Sequence, residues 1–267
     1  MDEIVVDGTG VIGSVRINRP ERGNSVTPVV VTELGDAVQR LCDTDGVKAV
    51  VLTGTGSVFC AGADVREMFD VYHADGADGL MDYLADVWMP AVQRTVRLIW
   101  GAPKPIIAAI NGAATAGGLD FGLACDVRVA ASTARFAESY VNLGMVPVAG
   151  GAYLLPLVAG LPAASALLAS GAFVDAGRAL DLGIVNEVCE PDQLDACALR
   201  WASDMAHGPV ETFARVKGIA RAASTPAFET ALRDSLAANI ELIARPEVRE
   251  RIVAVMERFS LSNARRG

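Results

Sequence analysis

A chain of 267 residues with 52% apolar side chains, 21% charged ones and a net charge of −9 can bury a substantial core and is too apolar to be disordered. The acidic balance argues against nonspecific nucleic-acid binding. Met1-Asp-Glu lacks the basic and apolar regions of a signal peptide, and no run reaches the length of a membrane span, so neither is expected. The five cysteines (Cys42, Cys60, Cys125, Cys189, Cys197) are odd in number and form no C-x-x-C pair, which reads as reduced thiols in a cytoplasmic protein. His73 and His207 lie far apart, which discounts a His-based metal site and a Ser-His-Asp triad; no metal is expected.

In chain order, Val11 to Ile17 alternates as a strand and stops at Arg19-Pro20. Thr27-Pro28 is an N-cap with proline at the first helical position, and helical periodicity runs to Cys42. Val47 to Thr53 reads as a buried strand that ends at the turn Gly54-Thr-Gly56, and Phe59 to Asp64 reads as a loop. A mostly helical span is expected from about Asp78 to Trp100, stopping before Pro103-Lys-Pro105. A strand, a glycine-rich turn and a helix then recur around residues 106–130. Ile184 to Val188 is a last strand, and everything beyond Pro191 reads helical, with breaks near Gly208-Pro209 and Arg245-Pro246. The division expected is an α/β core over residues 1–190 and a helical region over 191–267. Each helix of that tail is apolar on one face with little α/β core left to cover, so the tail is expected to bury against other subunits.

Gly8-Thr-Gly-Val-Ile-Gly13 matches a dinucleotide fingerprint by letter, but Ser14 to Asn18 continues it with a period-two strand pattern rather than a helix. The fingerprint binds pyrophosphate only where it opens a helix, so this one reads as a hairpin turn.

The segment Asn111-Gly-Ala-Ala-Thr-Ala-Gly-Gly-Leu-Asp120 sets one carboxylate in a stretch of small residues between two strand-like runs. Small residues let a ligand approach the backbone, and a glycine pair opening a helix aims N–H groups at it. Such donors suit a developing oxyanion, with Asp120 placed to move a proton beside it. The plainer reading is a tight crossover with Asp120 as a capping residue.

Four segments together resemble the crotonase superfamily, the enoyl-CoA hydratase/isomerase group. They are Ile17-Asn-Arg-Pro20; Phe59-Cys-Ala-Gly-Ala-Asp-Val-Arg-Glu-Met68; Lys104 to Gly112 continuing through Cys125-Asp126; and Phe136-Ala-Glu through Leu143-Gly144-Met-Val-Pro147 to Gly150-Gly151. Their order and spacing match over about residues 10–190, and Gly183-Ile-Val-Asn-Glu-Val188 fits as well. The resemblance implies an α/β fold, a crotonase-like spiral of ββα turns with a C-terminal helical trimerisation region, as a homotrimer or a dimer of trimers. It also implies an acyl-CoA thioester substrate with no cofactor beyond the coenzyme A of the substrate itself.

By position, the resemblance assigns the oxyanion-hole N–H groups to Ala63 and Gly117. It assigns the lining of the CoA adenine and phosphate region to Ala61, Ala63, Asp64, Val65 and Arg66. Arg258 and Phe259 resemble positions that approach CoA bound to an adjacent subunit. The family's two hydratase glutamates fall on Asp120, which keeps the carboxylate one methylene shorter, and on Tyr140; a third family acid position, used by isomerase relatives, falls on Val148. Glu138 lies two residues before Tyr140 and would share its side only if the backbone there is extended; by residue type alone it is a surface or ion-paired group. Tyr140 is either core or a weak-acid hydrogen-bond donor. The catalytic candidates are therefore Asp120, Ala63, Gly117, Tyr140 and Glu138, and the function implied is that of an enoyl-CoA hydratase. A single-acid isomerase, an acyl-CoA lyase or decarboxylase, and a non-catalytic acyl-CoA carrier are the alternatives.

Overall fold

A computed structural model describes residues 2–264, with side chains to residue 258. Strands β1 (Ile4–Asp7) and β2 (Ile12–Ile17) form an antiparallel hairpin in which Asp7 faces Ser14, so the glycine fingerprint is a turn. Helix α1 (Pro28–Asp43) begins where expected: the Thr27 hydroxyl accepts from the Val30 N–H and Pro28 occupies the first turn. Its C-terminal end is closed by Lys104, whose Nζ donates to the carbonyls of Leu41 and Thr44.

From there the chain winds in repeating units. Strands β3 (Ala49–Gly54) and β4 (Val58–Cys60) lead to α2 (Val65–Tyr83) and, through a π-helical turn at Leu84–Trp88, to α3 (Met89–Gly101). The next unit is β5 (Ile106–Ile110), β6 (Ala113–Thr115) and α4 (Gly117–Ala124). The third is β7 (Val127–Ala131), β8 (Arg135–Ala137), a 3-10 turn at Ser139–Leu143, and α5 (Gly151–Ala159). Within each unit the first strand joins one sheet and the second joins another. A six-stranded sheet runs β1-β2-β3-β5-β7 and ends on β10 (Glu187–Cys189). A four-stranded sheet runs β4-β6-β8 and ends on β9 (Val174–Asp175). All pairings beyond the β1–β2 hairpin are parallel except β8 with β9. This is the expected spiral of ββα turns.

Helices α6 (Leu161–Ser170) and α7 (Ala176–Asp181) flank β9, and α8 (Leu194–Ala206), α9 (Val210–Arg221), α10 (Ser224–Ile243) and α11 (Pro246–Ala264) complete the chain. Three sequence readings change here. The loop at Phe59 to Asp64 begins as strand β4. The helical span starts at Val65 rather than near Asp78, because the Asp64 side chain caps it, accepting from the Arg66 and Glu67 N–H groups; Gly76, at φ 73°, kinks it midway. The last strand of the six-stranded sheet starts at Glu187, with Ile184 and Val185 buried in the connection before it.

A fourth correction concerns the tail. Leu194, Ala198, Ala202 and Ala206 of α8 pack on Val51, Ile107, Ala109, Val127 and Val129, so α8 covers the outer face of the large sheet. There was core left to cover, and this helix covers it. Helix α9 is docked by Lys217 and Arg221, each 2.9 Å from a carboxylate oxygen of Asp126 at the start of β7. Helix α10 lies along α5, and α11 lies against α2 and the turn after β8 of its own chain.

Candidate active site

The segment Ala61 to Asp64 is zipped to Gly23–Val26: Ala61 N–H donates to Gly23 O, Val26 N–H to Gly62 O, and Asp64 N–H to Val26 O. In a parallel bridge the residue between those partners turns its own N–H to the opposite side, and that residue is Ala63. Gly62 (φ 86°) makes the bend, and a methyl built there would lie 3.6 Å from the Gly117 N. Gly117 opens α4, where the first N–H groups lack intrahelical acceptors. Among the described residues neither the Ala63 nor the Gly117 N–H is donated to another group. Two free backbone donors thus come together with a helix N-terminus behind one of them, which suits an oxyanion.

Holding them there has a cost. Ala116, just before α4, sits at φ 49°, ψ −124°, a conformation that costs a non-glycine residue about 1–3 kcal/mol. Gly118 lets α4 press on β4: a methyl there would be 2.1 Å from the Cys60 carbonyl oxygen.

Behind the donors lie the acids. Asp120, in the first turn of α4, has no exposed surface, and its Oδ2 accepts a 2.8 Å hydrogen bond from the Tyr140 hydroxyl. It is not a helix cap. That hydroxyl lies 3.4 Å from where a Gly117 methyl would be, so it meets the start of α4 as well as the carboxylate. Glu138 is 1% exposed and makes no ion pair among the described residues, so the surface reading of it fails. Its backbone (φ −88°, ψ 76°) turns the side chain inward toward Asp120, and Oδ1 of Asp120 and both Glu138 carboxyl oxygens have no hydrogen-bond partner among the described residues.

Burial pushes the Asp120 carboxyl up to about 7, against the opposing effect of the hydrogen bond from Tyr140. Glu138 is driven well above the usual carboxylate range by burial and by the adjacent Asp120. Burial likewise raises the Tyr140 hydroxyl well above its ordinary value, which keeps the phenol neutral. Val148 is fully buried and apolar, its carbonyl accepting from Gln93.

The residues expected to line a CoA site form the lip of this region. Ala61 and Arg66 are exposed, and Ala63 and Val65 are half-buried at the start of α2. The Asp64 carboxylate is committed elsewhere, to the α2 cap and to Arg19 at 2.8 Å. Arg258 is exposed on α11, and the side chain of Phe259 lies outside the described residues. Other motif residues prove architectural: Asn111 Nδ2 donates to the Gly56 and Val58 carbonyls, and Asp126 binds Lys217 and Arg221. Gly151 also belongs to the site, a role that its place in the Gly150-Gly151 pair does not reveal. Among the described residues no three metal-ligating side chains converge, and no helix is long and apolar enough to cross a membrane.

Two sheets fed in turn by ββα units, with a backbone donor pair over buried carboxyls, define the crotonase class of fold and site. The sequence profile of Enoyl-CoA hydratase/isomerase matches residues 7–261. A probable enoyl-CoA hydratase of Rhizobium meliloti is 34% identical over 209 residues, covering 77% of this chain and 76% of that protein. The crotonyl-CoA hydratase of Syntrophomonas wolfei is 33% identical over 195 residues, covering 72% and 71%. The crystal structure of an enoyl-CoA hydratase/isomerase from Pseudoalteromonas atlantica T6c superposes with a TM-score of 0.83 at 30% identity, covering 96% of this chain and 98% of that one. The chain belongs to the enoyl-CoA hydratase/isomerase family.

Proposed function

We propose that the protein is an enoyl-CoA hydratase that adds water across the double bond of an enoyl-CoA thioester. The observation that carries this reading is the Tyr140–Asp120 hydrogen bond set beside Gly117. The Ala63 and Gly117 N–H groups take the thioester oxygen and stabilise the negative charge it gains as the β-carbon is attacked, each such donor being worth roughly 10²–10³ in rate. Asp120 accepts a proton from the attacking water, whose hydroxyl bonds to the β-carbon. The enolate takes the Tyr140 proton at its α-carbon. Asp120 returns a proton to Tyr140 along their hydrogen bond, and both groups end as they began. One carboxylate and one phenol thereby do the work of two carboxylates, and the sum is one water added.

The start of α2, with exposed Arg66, is the proposed rim for the CoA phosphates, and no cofactor beyond the CoA of the substrate enters this reaction. The five free thiols fit a reducing compartment such as the cytoplasm. Assembly as a trimer or a dimer of trimers is supported by the family and by exposed apolar side chains on the tail helices: Leu199, Val216, Ile219 and Ile240. Light scattering at micromolar concentration tests the assembly, and a monomer mass would refute it.

Isothermal titration with crotonyl-CoA and with crotonate, beside a hydration assay on crotonyl-CoA, tests the function. The thioester alone should bind and be hydrated. Equal binding of both ligands, or of neither, would sink the acyl-CoA reading. Tight thioester binding without turnover would favour a carrier, and migration of the double bond without hydration would favour an isomerase.

A further inference from the structure

The proposed reaction uses Asp120 and Tyr140 and leaves a second buried carboxyl, Glu138, without a task. Its two oxygens and Oδ1 of Asp120 are the orphans of the site. They converge at Gly151, the first residue of α5: a methyl there would be 2.2 Å from Asp120 Oδ1 and 2.5 Å from Glu138 Oε1. Glycine at this position is what lets the two wholly buried carboxyl groups face the same spot.

Among the described residues no cation pairs with either carboxyl. Helix α4 presents Asp120, the turn after β8 presents Glu138 and Tyr140, and β4 presents Cys60, whose thiol burial raises to about 12. Helix α5 places Gly151 there. The arginines of α3 are engaged at the surface, Arg94 with Asp36 and Arg97 with Glu229. Two buried carboxyl groups facing one spot, with no ion-pair partner for either among the described residues, do not both ionise; one proton stays with the pair.

We infer that Glu138 is a positioning residue, the protonated member of a carboxyl pair, whose O–H donates to Asp120 Oδ1 and so holds Asp120 as the ionised base. The direction of sharing follows from the partners. Asp120 is stabilised as an anion by the Tyr140 hydroxyl on its Oδ2, whereas neither Glu138 oxygen receives a hydrogen bond from any donor among the described residues. The carboxylate that the family places at position 140 is thus replaced by one set two residues earlier. It reaches the acid/base group from behind rather than facing the substrate.

This role rests on the proposed chemistry for its kinetic test, so a substrate-free test stands beside it. Infrared difference spectra of the full chain, recorded well above pH 7 where Asp120 is ionised, should show the C=O band of a protonated, buried carboxyl in wild type and in Asp120→Asn, and not in Glu138→Gln. A band lost in Asp120→Asn and kept in Glu138→Gln would reverse the assignment and overturn the inference, whatever the substrate. In pH profiles of kcat/KM on crotonyl-CoA, Glu138→Leu removes a donor from the Asp120 carboxylate. Its acid limb should move up by about one pH unit, with turnover at pH 6 down roughly tenfold. Glu138→Gln, whose amide still donates, should recover most of that loss. An acid limb unmoved in Glu138→Leu, or Glu138→Gln as damaging as Asp120→Asn, would also overturn it. Should the leucine variant fail to fold, the glutamine variant supplies both readouts.

Discussion

The Arg19 guanidinium donates from Nη2 to Asp64 Oδ2 at 2.8 Å, with both side chains almost wholly buried, and this pair joins the end of β2 to the start of α2. Arg19 also donates to the Ser25 carbonyl, and Asp64 caps α2 through its other oxygen. Ala63 lies between these ties, so the direction of its N–H is fixed by a buried ion pair and its backbone bonds to Val26. Removing either member leaves the other buried with a weaker partner, half-exposed Glu3 at 2.8 Å for Arg19 and Arg22 at 3.9 Å for Asp64. Asp64→Ala should therefore cost about 3–5 kcal/mol in urea unfolding, and Arg19→Leu a similar amount. The double variant should be more stable than the sum of the two losses predicts. A loss below about 1 kcal/mol in each single variant, as for a surface pair, would show that the tie is not structural.

Turnover should separate the two polar groups of the proposed reaction. Asp120→Asn should lower kcat on crotonyl-CoA by roughly 10²–10⁴, the contribution of a positioned acid or base, with the Kd for acyl-CoA nearly unchanged. Tyr140→Phe removes both the proton donor and the hydrogen bond that lowers the Asp120 pKa. Its acid limb should move to higher pH while its rate falls by about 10² or more. A Tyr140→Phe enzyme with wild-type rate and profile would show that the phenol only packs.

Close packing of α4 on β4 gives a separate test. In Gly118→Ala the new methyl meets the Cys60 carbonyl oxygen at 2.1 Å, and that atom is backbone, which cannot rotate aside. The strand and the helix must part, which should cost roughly 1–3 kcal/mol of stability and spread the Ala63 and Gly117 donors. Gly101→Ala, where a methyl would meet nothing within 4 Å, is the control. Equal stability and activity of the two variants would refute the account.

Much of this arrangement was legible in the residues. Thr27-Pro28 marked a helix start because the cap and proline signals are local, and Ser14 to Asn18 betrayed a hairpin by its period. The resemblance brought Ala63, Gly117, Asp120 and Tyr140 to one site by position alone, and the fold sets them together. What was hidden depends on tertiary contact. The start of α2 at Val65 was missed because Asp64 had to be recognised as a cap while it also served Arg19. The tail helix α8 was assigned to other subunits because its alanine stripe gives no sign of which surface it will cover. Glu138 reads as a surface residue by type, and only the turn after β8 and the bare Gly151 show that it is buried against Asp120.

The buried acid should also be visible in stability against pH. The Asp120 carboxyl rises from 3.8 to about 7 on folding, so between those values the folded chain holds a proton that the unfolded chain has released. Its contribution to stability is therefore fully present below about pH 4 and is lost as pH rises through about 7. Asp120→Asn places a neutral side chain of the same shape there and removes that loss. The variant should melt higher than wild type at pH 8, by roughly 2–4 °C for each kcal/mol recovered, and the advantage should vanish below pH 4. Paired thermal melts of the two proteins across that range check it. An Asp120→Asn variant less stable than wild type at pH 8 would mean that the carboxylate contributes more to folding through its hydrogen bonds than its burial costs. The site would then be a stabilising element and not a strained one.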